Sequence, residues 1–391
     1  MTIYEERTTC RLDGSKLIDV LDLGMIKLND FREDGFEEIE APLSLSKGLG
    51  SNLLQLKHTV HPDLMFKNYW YKSEFNEAMC MHLSSLVAEV TERVGSPKTV
   101  LDIGCNDGYT LGQFKEADTI GFDPSNVPVT HEMTKYVNDY FSANAYWSNH
   151  ASPADIVLSI AMFYDLDDPV TFARDVSDVL NYDGTWIIEL HYLPAMLAYG
   201  GFDAICHEHL AYYNLHTLTE VMNKAGLYIV DASINNVNGG SLRITVKTKP
   251  SHISPSLCLL YKMETNLGSV EWFKNLIQIN KRNTLELLQE IKESGKIVYG
   301  YGASTKGNTI LQVYEITSDL FSGIAERDRF KVGKVTPGTH IPIVSEEEAR
   351  VKADYFFILP YHLTNQFIKR EKEFFNRGGK FIIPFPNVKV L

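Results

Sequence analysis

The chain has 391 residues, 44 % hydrophobic and 22 % charged, which excludes a disordered chain, a collagen-like fibre and a disulfide-rich miniprotein. Lys and Arg number 37 against 50 Asp and Glu, so the formal net charge is −13 and we expect no nucleic-acid partner. No apolar run approaches the roughly 20 residues of a membrane span, so we expect neither a membrane partner nor a signal peptide. The five cysteines form no Cys-x-x-Cys pair, which favours reduced thiols and a cytoplasmic location.

The first part of the chain changes character twice. Residues 1–80 have an irregular pattern with an aromatic cluster at 66–71, and they predict a small, loop-rich domain with a few strands. A helix is predicted over 76–94, where apolar residues recur every three or four positions. Strands and helices then alternate over 98–249, which predicts a mostly parallel sheet covered on both faces. The NGG at 238–240 is typical of a hairpin turn, so we expect this sheet to end antiparallel.

A stretch that contains proline and serine, residues 249–256, predicts a domain boundary. Beyond it we expect one long helix over 257–294 and then a second alternation of strands and helices. The fold class predicted is therefore α/β. We divide the chain into a small N-terminal domain (1–80), a central domain (81–250) and a C-terminal domain (251–391).

The first candidate site is the segment VLDIGCNDG at 100–108, where an apolar strand enters a turn with Gly104 and Gly108. Glycine lets the backbone approach a ligand, and we expect a helix to start after Gly108 with free amides for an anion. Asp123 ends the next apolar run, roughly 20 residues on, where an acid can bind both ribose hydroxyls of an adenosine. The spacing lacks the G-x-G-x-x-G turn of a dinucleotide site. It resembles motif I of class I S-adenosylmethionine methyltransferases, with a plain turn or another nucleotide as the alternatives.

The second candidate site is Cys206-His207-Glu208-His209, which places four polar groups on one short segment. In an extended chain His207 and His209 share one face, opposite Glu208, whereas in a helix the side chains fan out. The residue types alone allow three interpretations. They are two structural histidines, a metal site weakened by the lack of further ligands, or acid–base catalysis by a histidine with a neighbouring carboxylate.

Five segments together resemble the sugar C-methyltransferases of deoxysugar biosynthesis: VLDIGCNDGYTL, GFDPSN, CHEHLAYYNLHTL, NNVNGGSLRITV and GYGASTKGNTILQ. The resemblance covers nearly the whole chain. It implies a small zinc-binding N-terminal domain, a central class I methyltransferase Rossmann-like domain that binds S-adenosylmethionine, and a C-terminal Rossmann-like domain. It also implies that the substrate is a nucleotide-linked 4-keto-6-deoxy sugar, which loses its C3 proton to give an enolate that takes the methyl group.

The resemblance assigns roles to particular residues. His209 would be the base, with Glu208 beside it and Tyr71 as a group that reaches the sugar. The donor site would comprise Asp102, Gly104, Asn106, Gly108 and Asp123. Further substrate contacts are expected from Tyr69, Tyr164, Cys206 and His207.

The segment GYGASTKGN at 300–308 follows an apolar strand and opens a predicted helix. Backbone amides, hydroxyls and the Lys306 ammonium in such a turn suit a phosphate group. A plain glycine-rich connection is the alternative. Because the resemblance implies that this domain helps to hold the nucleotide-sugar, we predict that Ser304, Lys306 and Asn308 contact the substrate.

The sequence departs from the family pattern at the zinc site. The family uses two Cys-x-x-Cys pairs, and the corresponding residues here are Cys10, Asp13, Gly48 and Ser51. Only one thiolate of four remains, so we predict that no metal is bound and that the N-terminal domain folds by packing alone.

Two further departures concern the expected sugar pocket. Cys206 stands where the family often has Tyr, and Tyr164 lies in the segment where it often has His, so the sugar and the methylated atom stay open. We predict a monomeric, cytoplasmic S-adenosylmethionine-dependent methyltransferase that acts on a carbon of a nucleotide-linked keto sugar. The alternatives are a sugar O-methyltransferase, in which His209 deprotonates a hydroxyl, and a non-catalytic nucleotide- or sugar-binding module derived from such an enzyme.

Overall fold

The computed structural model describes residues 2–67, 69, 71–264 and 269–391. Trp70 of the predicted aromatic cluster lies outside this part of the chain. The first elements are β1 (Tyr4–Glu6), β2 (Leu17–Lys27), β3 (Glu40–Gly48), β4 (Leu54–Leu56), β5 (His58–Val60), α1 (Pro62–Phe66) and α2 (Glu77–Val94). The next elements are β6 (Thr99–Ile103), β7 (Asp118–Phe122), β8 (Lys135–Val137), α3 (Ala143–Asn149), β9 (Ala154–Ile160), α4 (Pro169–Val179), β10 (Leu180–His191), α5 (Leu193–Tyr199), β11 (Ala211–Tyr212), α6 (Leu215–Lys224), β12 (Tyr228–Asn235) and β13 (Ser241–Lys247).

The C-terminal part of the chain begins with two helices and continues as alternating strands and helices. These are α7 (Pro255–Glu264), α8 (Val270–Glu293), β14 (Val298–Tyr301), α9 (Thr305–Tyr314), β15 (Ile324–Glu326), β16 (Ile343–Ser345), α10 (Glu346–Lys352), β17 (Tyr355–Ile358), α11 (Thr364–Arg370), α12 (Lys372–Asn376), β18 (Lys380–Ile383) and β19 (Lys389–Val390).

The N-terminal residues contain more strand than predicted. β2 and β3 pair antiparallel, β4 joins β3, and the two-residue β11 from the central part of the chain adds a strand beside β4. The predicted strands are present and extend further than expected, because Ala41, Leu43 and Leu45 of β3 are buried at every second position while serine and proline lie between them. That period of two is the pattern of a half-buried strand.

The central sheet has the strand order β12-β13-β10-β9-β6-β7-β8. The five strands from β8 to β10 are parallel, and β13 runs antiparallel between β10 and β12. This order confirms the predicted class I methyltransferase fold and its antiparallel end. One face packs on α2, whose Leu86 and Val90 belong to the same core cluster as Ile187 of β10. The other face packs on α4 and α6, whose Val176 and Leu218 share a core cluster with Ile188.

The helix predicted after Gly108 is absent, which corrects the expected anion site at a helix N-terminus. Residues 104–117 form tight turns and a short 3-10 segment at Leu111–Gln113. Gly108 donates to the Cys105 carbonyl over 2.9 Å. Gly112 disfavours a helix, and a Cβ at this position would lie 3.0 Å from the Cβ of His131. Any anion bound here would therefore meet the amides of the turn itself.

The C-terminal sheet has the order β16-β15-β14-β17-β18-β19, with only β19 antiparallel, which confirms a Rossmann-like domain. The single helix predicted over 257–294 was wrong. α7 and α8 are separate, and residues 265–268 between them lie outside the described part of the chain. The Ser269 side chain caps α8 by accepting a hydrogen bond from the Trp272 amide over 3.1 Å, and its extended backbone prevents the helix from continuing through it.

One hydrophobic core connects the N-terminal sheet to the C-terminal sheet. It includes Leu45 of β3, Leu197 of α5, Phe273 of α8, Ile310 of α9 and Phe357 of β17. This core contains residues from all three predicted domains, so it does not separate them from one another. The division of the chain at residues 80 and 250 therefore stays a prediction. No helix within the described ranges is both long and apolar enough to cross a bilayer.

Candidate active site

The candidate site lies where three parallel strands of the central sheet end. β6 leads into the turn at 104–108, β9 into Ala161 and β10 into His191. β6 lies inside the sheet between β9 and β7, and the chain continues from β6 to β7 on one side and later to β9 on the other. Crossovers that leave in opposite directions at such a point open a crevice at the carboxyl ends of the strands. The turn at 206–209 lies beside this edge of the sheet, since the rings of His209 and of Tyr164, which follows β9, are 4.1 Å apart. The charge of Lys306, at the beginning of α9, acts on His209.

The turn after β6 has the backbone freedom that a bound cofactor requires. Gly104 and Gly108 have φ angles of +77° and +84°, which glycine adopts without strain. A Cβ on Gly104 would lie 3.2 Å from Cγ of Met162, just after β9. Glycine therefore lets the turn pack closely against the end of the neighbouring strand.

Asn106 links this turn to the segment before α2. Its Oδ1 accepts a hydrogen bond from the Ser73 amide over 3.1 Å, and its Nδ2 donates to the Tyr71 carbonyl over 3.0 Å. The Asn106 amide itself donates to Oδ2 of Asp123 over 2.8 Å. Asn106 therefore holds the Tyr71 backbone against the predicted donor site, a positioning role that the sequence did not indicate.

Replacing Asn106 by glycine tests this role. Asn106 has a φ of +50°, which glycine also adopts, so Asn106→Gly removes both side-chain hydrogen bonds without straining the backbone. We expect kcat/KM to fall about thirtyfold, since two lost bonds worth about 1 kcal/mol each make about 2 kcal/mol. Asn52→Gly is the matched control, because Asn52 has a φ of +62° in the N-terminal part of the chain. Steady-state kinetics that show equal losses in both variants would contradict the assignment.

Two acids of the predicted donor site differ in their surroundings. Asp123 follows β7, is buried, and accepts hydrogen bonds from the amides of Asn106 and Ser125 over 2.8 and 2.9 Å. Each oxygen keeps a lone pair for a ribose hydroxyl, so the residue fits an adenosine. Asp102 lies inside β6, where burial, with nearby Asp123 and Asp107, raises its pKa to about 7. Asp107, which sequence analysis missed, accepts from the amides of Glu74 and Tyr109 over 2.8 and 3.1 Å and supports the turn.

The His-Glu-His segment is neither strand nor helix. The His209 amide donates to the Cys206 carbonyl over 3.1 Å and closes a β-turn, which directs the two imidazoles to different places. Nε2 of His207 lies 3.1 Å from the carbonyl oxygen of Ala41 in β3. Burial lowers the pKa of His207 to about 4. The structure therefore does not bring His207 to the site, although it was a predicted substrate contact.

His209 has the properties of a base. Its Nδ1 lies 2.8 Å from the Ala204 carbonyl, which can only accept, so Nδ1 carries the hydrogen and Nε2 is a free acceptor within the described residues. The ring packs on Tyr164 with the centroids 4.1 Å apart. Burial, and then the charge of Lys306, lower the pKa of His209 to about 3. The imidazole is therefore neutral near pH 7 and has a free acceptor nitrogen, but a pKa this low makes it a weak base until a bound anion raises that pKa.

Glu208 forms a pair of buried acids with Asp165. Its Oε1 accepts a hydrogen bond from Asn29 over 3.3 Å, while Oε2 and the Asp165 Oδ1 are buried without a partner among the described residues. Burial raises the pKa of both carboxyl groups, and the Glu208 charge raises that of Asp165 further. Two buried oxygens thus have capacity for ligand hydroxyl groups. Sequence analysis did not select Asp165, although it adjoins Tyr164.

The tyrosines and the cysteine of the predicted substrate site lie around these acids. Tyr69 lines a cavity of about 590 Å³ together with residues 30–33 and Phe36. Desolvation, and then the neighbouring carboxylates Asp165 and Glu208, raise the pKa of Tyr69, so its phenol stays a hydrogen-bond donor. Burial likewise raises the pKa of Cys206, whose Sγ lies 3.9 Å from the Ala204 carbonyl oxygen.

The start of α9 supplies the C-terminal side of the site. The Lys306 ammonium donates to the Asn238 carbonyl over 2.8 Å. Asn308 donates to Oδ1 of Asn29 over 2.9 Å, and Asn29 in turn donates to Glu208. Ser304 caps the helix by accepting from the Gly307 amide over 3.0 Å. The structure thus brings Lys306 and Asn308 to the site, whereas the Ser304 hydroxyl serves the helix.

A charged network that sequence analysis did not recognise supports the end of β10. Glu189 accepts hydrogen bonds from Arg243 Nε over 2.7 Å and from Asn235 over 2.9 Å, and it lies 2.5 Å from Nε2 of His82 on α2. Arg243 belongs to the motif NGGSLR, which was a signal for a functional arginine. The network joins α2, β10, β12 and β13 at the edge of the site.

The positions of the predicted degenerate zinc site do lie together. Cys10 Sγ lies 3.3 Å from Ser51 Oγ, and a Cβ on Gly48 would lie 2.7 Å from the same sulfur. Asp13 accepts hydrogen bonds from the Ser15 amide and hydroxyl over 3.0 and 2.7 Å. The described ranges contain no group of three or more His, Cys, Asp or Glu that could hold a metal ion.

The absence of zinc stays a prediction, and elemental analysis tests it directly. One thiolate and one carboxylate are too few for a structural site, which takes four ligands. We therefore expect elemental analysis of the purified protein to find zinc far below one atom per chain, and dialysis against a chelator to leave Tm unchanged. One equivalent of zinc, or a lower Tm after chelation, would show that other residues complete the site.

Comparisons with known proteins agree with this geometry. A family model described as a methyltransferase domain matches residues 69–232, and one described as the C-methyltransferase C-terminal domain matches residues 236–386. The C-methyltransferase NovU of Streptomyces niveus is 28 % identical over 361 residues, which cover 87 % of this chain and 85 % of that protein. The protein is an S-adenosylmethionine-dependent methyltransferase.

Other similarities to this methyltransferase cover less of the chain. A tRNA U34 carboxymethyltransferase of Campylobacter jejuni subsp. doylei is 28 % identical over 115 residues, which cover 25 % of this chain and 37 % of that protein. The structure of TnmH matches with a TM-score of 0.31 and 18 % identity and covers 45 % of this chain and 57 % of the other. The N-methyltransferase NodS of Bradyrhizobium japonicum WM9 matches with a TM-score of 0.35 and 10 % identity, and the match covers 45 % of this chain and 99 % of the other.

Proposed function

We propose that the enzyme methylates a carbon atom of a nucleotide-linked keto sugar, with His209 as the base. The observation that carries this proposal is the His209 imidazole, which is neutral, fixed at Nδ1 by the Ala204 carbonyl and free at Nε2. The similarity to a C-methyltransferase along most of the chain supports carbon as the acceptor atom. We further propose that the enzyme acts as a monomer.

A hydrogen on the carbon beside a ketone is weakly acidic, so its removal needs a base and a group that stabilises the enolate oxygen. Nε2 of His209 takes the proton, the C–H electron pair forms the enolate double bond, and the carbonyl oxygen gains the negative charge. The Lys306 ammonium, whose charge acts on the His209 pKa, favours the build-up of that negative charge.

The donor side is supplied by the turn after β6 and by Asp123. Gly104 and Gly108 allow close approach of the backbone, and the Asp123 carboxylate is the group for the ribose hydroxyls. S-adenosylmethionine, when bound, supplies an electrophilic methyl group. Asp102 shapes the turn from within β6, and Asn106 holds the Tyr71 segment beside it.

The acceptor sugar would lie between His209 and the two buried acids. The unpartnered oxygens of Glu208 and Asp165 are acceptors for sugar hydroxyls, and the Tyr69 phenol is a donor. The ring of Tyr164 supports the face of the His209 imidazole, which keeps the base oriented. These contacts would orient the acidic C–H bond towards Nε2.

Product analysis tests this function. The enzyme is incubated with S-adenosylmethionine that carries a ¹³C-labelled methyl group and with nucleotide-linked 4-keto-6-deoxy sugars, and the product is examined by NMR. We expect a new C–CH₃ resonance that correlates with a sugar carbon. An O–CH₃ resonance would show that His209 deprotonates a hydroxyl instead. Binding of both ligands without any methyl transfer would favour a non-catalytic module.

A further inference from the structure

A group of titratable side chains lies beside His209, and of its members only Lys306 has a role in the proposed proton transfer. We call it the imidazole cluster, and it consists of His191, Asp203, Lys306 and His362. His191 ends β10, Asp203 follows α5, Lys306 lies in the first turn of α9, and His362 follows β17. The Lys306 ammonium donates to the Asn238 carbonyl, and a Cβ on the adjacent Gly239 would lie 3.0 Å from Oη of Tyr361, the residue before His362. A Cβ on Gly201 would lie 2.8 Å from the same Oη and 3.3 Å from Oδ1 of Asp203, and the amide of Tyr192, the residue after His191, donates to the Gly240 carbonyl over 3.1 Å. These contacts bring the four segments together, and the charge of Lys306 acts on the pKa of all three partners.

The cluster contains buried polar atoms without partners. Both ring nitrogens of His191 lack a hydrogen bond among the described residues, although the residue is only 8 % exposed. The Nδ1 of His362 and the Oδ1 of Asp203 are buried and unpartnered in the same way. Buried polar groups in folded proteins nearly always have partners, so four such atoms in one place indicate a ligand that completes them.

The cluster is open to a ligand on one side. Lys306, His362 and His209 are each partly exposed, whereas His191 and Asp203 are buried. Lys306 gives one N–H to the Asn238 carbonyl, which leaves two for a ligand. An ammonium group beside imidazole donors is suited to the oxygens of a phosphate, because hydrogen bonds to charged acceptors are the strongest of their kind.

Burial keeps the imidazoles of the cluster unprotonated near pH 7. Burial lowers the pKa of His362 to about 3 and that of His191 well below its usual value. Burial raises the pKa of Asp203 to about 6, while the Lys306 charge acts in the opposite direction. The other titratable groups that face the cluster are His209, Cys206, Tyr314 and Tyr361. A negative ligand would raise the pKa of each of these groups.

We propose that the imidazole cluster binds phosphoryl oxygens of the substrate's diphosphate and takes up a proton from solvent as it does so. This inference rests on the proposed nucleotide-linked substrate and adds His191, His362 and Asp203 to its binding site. The proton converts an imidazole from a single donor to a double donor, or neutralises the Asp203 carboxylate, and in both cases it removes repulsion from the bound anion. Affinity must then weaken as pH rises, by up to a factor of ten per pH unit for one proton.

Calorimetry tests the proposal with uridine diphosphate and thymidine diphosphate as probes. Each is titrated into the protein at pH 7.5 in two buffers of very different ionisation enthalpy, and the difference in heat gives the number of protons taken up. We expect about one proton per nucleotide bound. His191→Asn and His362→Gln should each bind at least tenfold more weakly and reduce the uptake. His216→Gln, at an exposed position on α6, is the control and should change neither quantity.

The outcomes separate the proposal from the proposed function. Zero proton uptake by the wild type, or unchanged uptake and affinity in both variants, would overturn the inference even if the wild type methylates a keto sugar. Proton-linked binding without methyl transfer to any nucleotide-linked sugar would support the phosphate-binding role of the imidazole cluster and overturn the proposed methylation of such a sugar. Failure of both nucleotides to bind would overturn the inference. Unchanged affinity for S-adenosylhomocysteine shows that each variant is folded.

Discussion

Replacing His209 by glutamine lowers kcat about 1,000-fold, the usual contribution of a positioned general base, and leaves the affinity for S-adenosylhomocysteine unchanged. Glutamine keeps a donor that can serve the Ala204 carbonyl but has no basic nitrogen, so the contact survives while the proton acceptor is lost. The donor site lies on the turn after β6 and does not include this side chain.

His207→Gln is the matched control for that prediction. His207 lies two positions before His209, but its ring contacts the Ala41 carbonyl of β3 rather than the site. We expect kcat within about threefold of the wild type and a lower Tm, because one buried hydrogen bond is worth about 1 kcal/mol. Turnover that falls equally in both variants, or an active His209→Gln enzyme, would contradict the assignment of the base.

Replacing Asp123 by alanine weakens the binding of S-adenosylmethionine at least 100-fold. The substitution removes two acceptors for the ribose hydroxyls, and hydrogen bonds to a charged group are worth about 1.5–3 kcal/mol each. It also removes the acceptor for the Asn106 amide, so the turn after β6 loses a support. Calorimetric titration with S-adenosylhomocysteine measures the effect directly.

Two further variants make the Asp123 prediction specific. Asp123→Asn retains one oxygen acceptor, so we expect an intermediate loss of affinity. Asp118→Ala changes an exposed acid at the start of the same strand, β7, and should bind like the wild type. Wild-type affinity in Asp123→Ala would show that the donor is held elsewhere, and an equal loss in Asp118→Ala would indicate a general effect on the strand.

The two α/β sheets were predictable because their strands are short apolar runs that end in glycine or a polar turn. β6 and β14 show this pattern most clearly. The turn after Gly108 was not predictable from the sequence, because the residues there are compatible with both a helix and a turn. The close approach of Gly112 to His131, a contact distant in sequence, favours the turn. The break before α8 carried a readable signal, since Ser269 and Glu271 form a helix start.

The candidate site was predictable where one segment carries several chemical groups. His209 and Lys306 each lie in such a segment, and the structure places both at the crevice. The direction of each histidine ring was not predictable, because the β-turn closed by His209 fits neither strand nor helix. His191 and His362 are isolated in the sequence and come together only because β10 and the residues after β17 end at the same place.

Exchange of the sugar C3 proton tests the central claim, enolate formation by His209, most directly. A nucleotide-linked 4-keto-6-deoxy sugar is incubated in D₂O with the enzyme and S-adenosylhomocysteine, which cannot donate a methyl group, and the C3 proton is followed by NMR. The account predicts rapid loss of this signal with the wild type and with His207→Gln, and none above background with His209→Gln. Retention of the C3 proton by a wild-type enzyme that methylates the same sugar, or exchange catalysed by His209→Gln, would contradict it.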